Sequence, residues 1–387
     1  MFFRFLNPGR SRAVADKIRD RLIEAFGTSV ADGLTLPADG VVAVILAYNE
    51  ALRFPFFLEH YRALGVRHFI VVDNTSTDGT GALLAAQPDV SVIPTEKPYK
   101  DHKSEWRQLL CERYLQDRWV LFPDVDELFV YPGWPELPID ALTQYLDEGS
   151  YRALFTPMVD MYPQGPLKDL SYRAGDSFLE TCPWFDAEGY RYNPLKGSHA
   201  KRYKTPARHV FGGTRERLFH QAAKRPKTLF DKLLLSTVFS LRATAPESVA
   251  GRKLDHLLFK PVKNALPSPA AVQSKIPLLK WDRGYRFSGG VHGIDRQIAV
   301  APDWGVLLHF KYLDDFESKV SEALERRQHT DNAGHYRDYN AQMSRLITEG
   351  LHYPGSALFS GVQSLIDCGL TRESKALAAW LQLNTKT

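Results

Sequence analysis

Cysteine is scarce, long apolar runs are missing, and no glycine-rich phosphate loop follows the first strand candidate. Each shortage removes a class of protein. Cys111, Cys182 and Cys368 are odd in number and far apart, which supplies neither a disulfide framework nor a zinc cluster and fits a reducing compartment. No apolar stretch approaches the roughly 20 residues that cross a bilayer, and "MFFRFL" gives way to "NPGRSR" too soon for a secretory leader, so a soluble cytoplasmic protein is expected. The excess of 49 Lys and Arg over 45 Asp and Glu is too small to imply nucleic acid, and no recognition helix or zinc module accompanies it. After the first strand candidate the chain reads AYNEALR, so the G-x-G-x-x-G turn of nicotinamide and flavin enzymes is missing. The same segment lacks a Gly-rich pyrophosphate loop with a following Lys or Arg, which weighs against a sugar nucleotidyltransferase, the nearest rival enzyme.

What remains is 387 residues, 44% of them apolar, enough for one large domain or two ordinary ones. Aromatic residues make up 12%, which suits either a core or a cleft for planar and sugar-like groups. Residues 196–227 hold ten Lys or Arg and one acid, Glu216, a distribution that fits a solvated face, a phosphate-rich ligand or an anionic membrane surface. The first 26 residues combine Phe with an Arg-bearing amphipathic pattern and are a second candidate for peripheral contact with an anionic membrane.

Residues 41–130 alternate regularly. "VVAVILAY", "VRHFIVVD", "VSVIP" and "RWVLFP" read as strands. Helices are expected over 52–64, closed by Gly65, over "GALLAAQ", capped by Thr77 or Asp78, and over "SEWRQLLCERYLQ". Strict alternation predicts a parallel α/β sheet. Ligands then bind at the carboxyl ends of the strands, which places Asn49 and Glu50, Asp73 and Asn74, and Asp124 with Asp126 on one rim. Later strands are expected at "SYRALFTPMVDMY", "RLFH", "KLDHLLFK" and "DWGVLLHFKY", and helices at about 313–327, 333–348 and 356–382.

Asp124 and Asp126 face the same way if strand conformation persists through "DVD", and paired carboxylates repel unless a cation or proton intervenes. Mg²⁺ or Mn²⁺ between them would bridge to substrate phosphates. Glu127 is expected as an outward salt bridge or a helix-start charge. Lys100, Lys103 and Arg107, just past the third strand, are placed to share the neutralisation of a diphosphate, or are a solvated helix start.

"VILAYNEALRFPFFLEHYRALGV", "FIVVDNTSTDGT" and "WVLFPDVDELFVY" together resemble family 2 glycosyltransferases, and more narrowly a bacterial subgroup with a D-x-D-E acid motif. The resemblance covers 41 to about 131 well. Weaker features, "MVDMYPQGPL", "CPWFD" and "LLHFKY", extend it to about 315. It implies a glycosyltransferase A type, Rossmann-like mixed sheet with flanking helices and additional C-terminal helices. The implied layout is an N-terminal amphipathic segment (1–35), a catalytic domain (36–312, with the nucleotide-sugar half at 41–131 and an acceptor side at 132–312) and a C-terminal helical region (313–387).

The implied activity is transfer of a sugar, with inversion, from a nucleotide diphosphate sugar to a glycan, lipid-linked or small-molecule hydroxyl acceptor. By the same resemblance Ala47, Tyr48, Asn49, Glu50 and Asp73 contact the base and ribose, with Asn74 beside them. Asp124 lies toward the ribose and sugar, and Asp126 is the main metal ligand with Asp124 as its partner. His309 completes the metal sphere or meets the phosphate, with His292 as competitor and Lys311 as a further phosphate group. One departure is visible: the family turn has two acids where this chain has Asp73 followed by Asn74. Inverting transfer needs a general base opposite the leaving diphosphate. Asp186 ranks first, beside Trp184 and Phe185 as a sugar-stacking wall or core pair, followed by Glu180, Asp176 and Asp160. A non-catalytic glycan- or anionic-surface-binding protein that retains the fold is the competing class.

Overall fold

A computed structural model gives the structure of residues 8–195, 204–219, 228–246, 248–263, 266, 271–288, 290–326 and 330–384. The first seven residues and half of the basic stretch, 196–203 and 220–227, lie outside the described residues. Two helices open the chain, α1 (Pro8–Phe26) and α2 (Thr28–Asp32). The apolar side of α1 is covered, because Ile18, Leu22, Ile23 and Phe26 pack in the cluster that holds Trp106, Leu109 and Leu110.

The alternating segment then folds as β1 (Val42–Ala47), α3 (Phe54–Leu64), β2 (His68–Asp73), α4 (Thr80–Ala85), β3 (Val90–Pro94), α5 (Tyr99–Tyr114) and β4 (Trp119–Leu121). β1 pairs in parallel with β2 and β4, and β2 with β3, giving the order β3-β2-β1-β4. All six residues of β1 and of β2 are buried, as strands covered on both faces require. Period two divides β1 cleanly. Val42, Val44 and Leu46 join the α1 and α5 side, while Ala43, Ile45 and Ala47 join Phe54, Phe57 and Tyr61 of α3. Gly65, at φ 100°, closes α3 in the left-handed conformation that a side chain would strain. At α4 the N-cap is Gly79, and Asp78 accepts from the Thr80 N–H at 3.0 Å.

The rest of the chain comprises β5 (Glu127–Val130), α6 (Ile139–Glu148), β6 (Ala153–Tyr162), α7 (Phe178–Thr181), β7 (Trp184–Asp186), β8 (Arg191–Pro194), β9 (Arg208–Phe211), α8 (Gly213–Phe219), α9 (Leu229–Ser236), α10 (Val249–Lys263), β10 (Ser274–Lys280), β11 (Phe287–Ser288), β12 (Gly293–Ile294), β13 (Val300–Trp304), β14 (Val306–His309), α11 (Phe316–Arg326), α12 (Thr330–Ala341), α13 (Met343–Glu349), β15 (Ser356–Leu358), α14 (Val362–Asp367) and α15 (Lys375–Asn384). β10 lies antiparallel between β4 and β6 and so extends the parallel sheet. β14 runs parallel to β6 and antiparallel to β5. The architecture is therefore a mixed α/β sheet flanked by helices, of Rossmann-like form, with its run of parallel strands β3-β2-β1-β4 at one end. Among the described residues no helix is long and apolar enough to cross a membrane.

Two expected strands are helices. "RLFH" runs into α8, and "KLDHLLFK" lies inside α10, where Asp255, Phe259 and Val262 are buried at spacings of four and three. "DWGVLLHFKY" forms two strands, split at Gly305, where a Cβ would stand 2.5 Å from the Phe129 ring. The long C-terminal helix expected at 356–382 is instead β15, α14 and α15. Their Val362, Leu365 and Leu377 join the core cluster of β1 and α3.

His60 sits in that core with Nε2 3.1 Å from the Phe129 carbonyl. Burial pulls its pKa down from 6.5 to about 4, so the folded protein holds it neutral while the unfolded chain takes a proton. Its contribution to stability is complete above the unfolded pKa and is lost as pH falls toward about 4, a decline of about 3 kcal/mol. His60→Gln is expected to flatten this acid limb. Denaturant titrations at neutral pH and at about pH 4 measure it.

Candidate functional site

A cavity of about 720 Å³ opens at the carboxyl ends of the central strands. Ala47, Tyr48 and Glu50 reach it from the end of β1, Asp124 to Glu127 from beyond β4, and Lys103 and Arg107 from α5. β8 and β9 contribute Asn193, His209 and Phe211 from the other side. This is the position where an open α/β sheet presents ligand-binding loops.

The two aspartates of "DVD" do not share a face. β4 ends at Leu121, Pro123 has no N–H to continue a ladder, and the Glu127 N–H turns back to the Asp124 carbonyl at 3.0 Å. Asp124 is thereby aimed at cations, with Oδ1 3.1 Å from Arg107 Nη2 and Oδ2 2.5 Å from Lys275 Nζ. Burial pushes its pKa up, but Lys275 and Arg107 outweigh this and hold it at about 2. Glu127 is neither outward nor at a helix start. It begins β5, is 1% exposed, and accepts from Lys275 Nζ at 2.6 Å and from the Asp124 N–H at 3.0 Å. Burial pushes the Glu127 pKa up against the pull of Lys275.

Asp126 goes the other way. Strand register sets this geometry: His309, last in β14, lies opposite Glu127 of β5 on one side and Asp160 of β6 on the other. His309 Nε2 is 3.1 Å from Asp126 Oδ2, and Nδ1 is 2.6 Å from Asp160 Oδ1. Arg215 of α8 holds Asp160 through Nε at 3.1 Å and Nη2 at 3.0 Å. Burial lowers the His309 pKa, but the two flanking carboxylates raise it further, and Asp126 and Asp160 are held well below the carboxylate range in return. Asp126, Glu127 and His309 each offer a ligand atom within 4.8 Å of the others, a cluster that could hold a metal ion. Asp124 is outside that cluster. His292 lines the cavity, with Nδ1 2.7 Å from the Ser274 carbonyl, and burial together with nearby Lys275 lowers its pKa to about 4.

Lys103 and Lys311 differ from Arg107, Arg215, Lys275 and Lys319, each of which holds a carboxylate. Both line the cavity, and neither has a carboxylate partner among the described residues. Lys103 Nζ lies 5.3 Å from the centre of the Tyr99 ring and Lys311 Nζ 4.4 Å from that of Tyr336. Burial lowers the pKa of each, with Arg107 adding to the effect at Lys103, and burial and Arg215 bring Lys311 to about 8. Asn193 Oδ1 and Arg107 Nε, from residues of the same wall, also have no partner among the described residues.

Other expected contacts hold loops together. Asp73 accepts from the Ser76 N–H at 3.0 Å and from its hydroxyl at 2.5 Å, and Asn74 donates to the carbonyls of Thr95 and Lys97. Asn49, at φ 53°, accepts from the Thr77 N–H and donates to Glu322. None of these three lines the cavity, unlike Ala47, Tyr48 and Glu50. α11 crosses this rim. Lys319 meets Glu50 at 3.0 Å, Arg326 meets Asn74 at 3.1 Å, and the Arg326 guanidinium lies 3.2 Å from the centre of the Tyr48 ring.

The general-base candidates also lie off the cavity. Asp186 is 1% exposed and is gripped by Arg217 at 2.8 and 2.9 Å and by the Tyr162 hydroxyl at 2.7 Å. Glu180 is exposed on α7, Asp176 sits on the surface where it accepts from the Arg173 N–H, and Asp160 serves His309 beneath the floor. Sequence reasoning missed Lys275 and Arg215, and it expected the helix α11 but not its place on the rim. A lysine entering the apolar run IPLL was the one local signal.

Lys275→Met leaves buried Glu127 and half-exposed Asp124 without their shared cation. A loss of about 3–5 kcal/mol is expected in denaturant unfolding, the penalty of an uncompensated buried charge.

No family model and no curated protein matches the chain. Among solved structures it is similar to a 4-diphosphocytidyl-2C-methyl-D-erythritol synthase, at 18% identity, with 33% of this chain and 64% of that chain covered and a TM-score of 0.22. The chain thus spans less than two thirds of that enzyme.

Proposed function

We propose that the protein is a metal-assisted glycosyltransferase that moves a sugar from a nucleoside diphosphate sugar to the hydroxyl of a glycan, lipid-linked or small-molecule acceptor, with inversion. One observation carries this reading. Asp126 with His309, and the carboxylate-free Lys103 and Lys311, face the same cavity at the carboxyl ends of parallel strands.

The residues fit Mn²⁺ or Mg²⁺. Neighbouring ligands at about 2.1 Å in an octahedral sphere stand about 3.0 Å apart, and Asp126 Oδ2 and His309 Nε2 are separated by 3.1 Å. Asp160 accepts the Nδ1–H of His309, so a cation at Nε2 would take the place of the proton that His309 shares there with Asp126. The bound ion would neutralise negative charge on the donor diphosphate. Lys103, Lys311 and Arg107 would stabilise the charge that develops on the leaving nucleoside diphosphate, at fixed positions that need no reorganisation. Asp124, tethered by Arg107 and Lys275, would orient the ribose and sugar rather than share the ion. Residues 41–131 then form the donor half and 132–312 the acceptor side, and the C-terminal region lends α11 to the rim.

The purified protein, screened against nucleotide sugars with Mn²⁺ or Mg²⁺, is expected to release nucleoside diphosphate, faster with a suitable acceptor. No nucleotide binding under any metal condition would overturn the reading. Asp126→Ala is expected to abolish metal-dependent donor binding with the melting transition retained; unchanged activity removes Asp126 from the role. Asp160→Asn is expected to weaken Mn²⁺ affinity by roughly 10–100-fold, measured by titration calorimetry, through loss of the group that orients His309.

A further inference from the structure

Helices α9 and α10 carry a surface that neither the core nor the cavity uses. They are joined on their inner side by a small cluster of Leu234, Phe239, Phe259 and Val262. On the outer side Leu229, Phe230 and Leu233 of α9, and Val249, Leu254 and Leu257 of α10, are each more than half exposed. These six make up most of the large exposed hydrophobic side chains among the described residues. Single exposed leucines are ordinary, but a cluster on two adjoining helices is not.

Among the described residues the exposed charge on these two helices has one sign. Lys232, Lys253, Lys260 and Lys263 are exposed. Each helix contains one acid, and both acids are turned inward. Asp231 closes a capping box with Thr228, and Asp255 is held through both oxygens by Arg208. In α10 the lysines at 253 and 260 lie two turns apart and flank the leucines at 254 and 257. Apolar residues bordered by lysine heads are the pattern of a helix that lies in a headgroup layer.

We propose that α9 and α10 dock the protein on a bilayer surface bearing anionic lipid headgroups, with the six apolar side chains entering the interface. A second copy of the chain is a poorer occupant, because a two-fold contact would set the same lysines against each other. Asp255 and Arg208 tie α10 to β9, and His209 and Phe211 of β9 line the cavity. Docking through α10 therefore ties a strand that lines the acceptor side of the cavity to the membrane-bound helices and favours a lipid-linked acceptor, a corollary that rests on the transfer reading.

Co-sedimentation of the full chain with phosphatidylcholine vesicles, with and without phosphatidylglycerol, tests the docking itself in the absence of nucleotide. Binding is expected only when phosphatidylglycerol is present, and it should be released by high salt. Lys253→Glu with Lys260→Glu is expected to lower the partition by more than about tenfold. Leu254→Ser with Leu257→Ser should lower it as well, with the circular dichroism spectrum and melting unchanged. No binding to anionic vesicles, or binding that both double variants retain, overturns the proposal. So does a wild-type dimer that becomes monomeric in the leucine variant without any lipid binding. Nucleotide release in solution reads the cavity alone, so failure there and failure on vesicles are told apart.

Discussion

Pairing of buried charge governs the floor of the cavity. Two chains of alternating sign run side by side there. One is Asp126, His309, Asp160 and Arg215; the other links Arg107 and Lys275 to Asp124 and Glu127. An unpartnered member that is buried, such as Glu127, Asp160 or Lys275, would cost several kcal/mol, so each such position constrains the next. The internal matching also explains which groups are left over. With the floor neutralised from within, Lys103, Lys311 and the rim's Arg326 remain as cations with no carboxylate partner among the described residues, facing an open volume.

Strand register builds the first chain. β14 is wedged between β5 and β6, so a single residue of β14 is set against a residue of each neighbour. A slip of one position would turn His309 to the opposite face and strand two acids. Gly305 permits the wedge, because the β13-to-β14 crossing presses on Phe129 of β5 where no side chain fits. Packing and electrostatics thus specify the same register, and Arg215 of α8 locks it from behind.

Much of the first third was legible because its strands are unbroken β-branched runs separated by capped helices. The later region was less so. "RLFH" and "KLDHLLFK" are short, and a brief apolar run fits either period until its buried partners are known. The site was legible by position and not by partnership. Asp126 and His309 stood out as a strand-end acid and a strand-end histidine. Asp124 and Asp126 looked like neighbours only on the assumption that strand geometry survives Pro123. The cation of Asp124 and Glu127 lies about 150 residues away at Lys275, and the partner of His309 as far away at Asp160, separations no local pattern encodes. Asp73, Asn74 and Asn49 carry the chemistry of ligand contacts, yet their polar atoms close turns. Asn and Asp side chains perform both tasks with the same hydrogen bonds, so sequence does not separate them.

Floor and rim differ in strength, and this difference orders the parts of the site. The floor pairs are nine-tenths buried or more on at least one side, as with Asp160, Glu127 and Lys275, and removal of a partner there costs several kcal/mol. The ties of α11 to the rim are of two kinds: partly exposed groups, Lys319 with Glu50 and Glu322 with Asn49, contribute about 1 kcal/mol or less each, whereas buried Arg53 grips Asp315 at the start of the helix through both oxygens at 2.6 Å. The Arg326 guanidinium over Tyr48 adds about 0.5–1 kcal/mol at a partly exposed site, whereas a planar base stacked on an aromatic ring gains about 1–3 kcal/mol. An incoming aromatic group would compete with Arg326 for the face of Tyr48, while α11 itself is held by its buried Phe316 and Val320 and by the Arg53–Asp315 pair at its start.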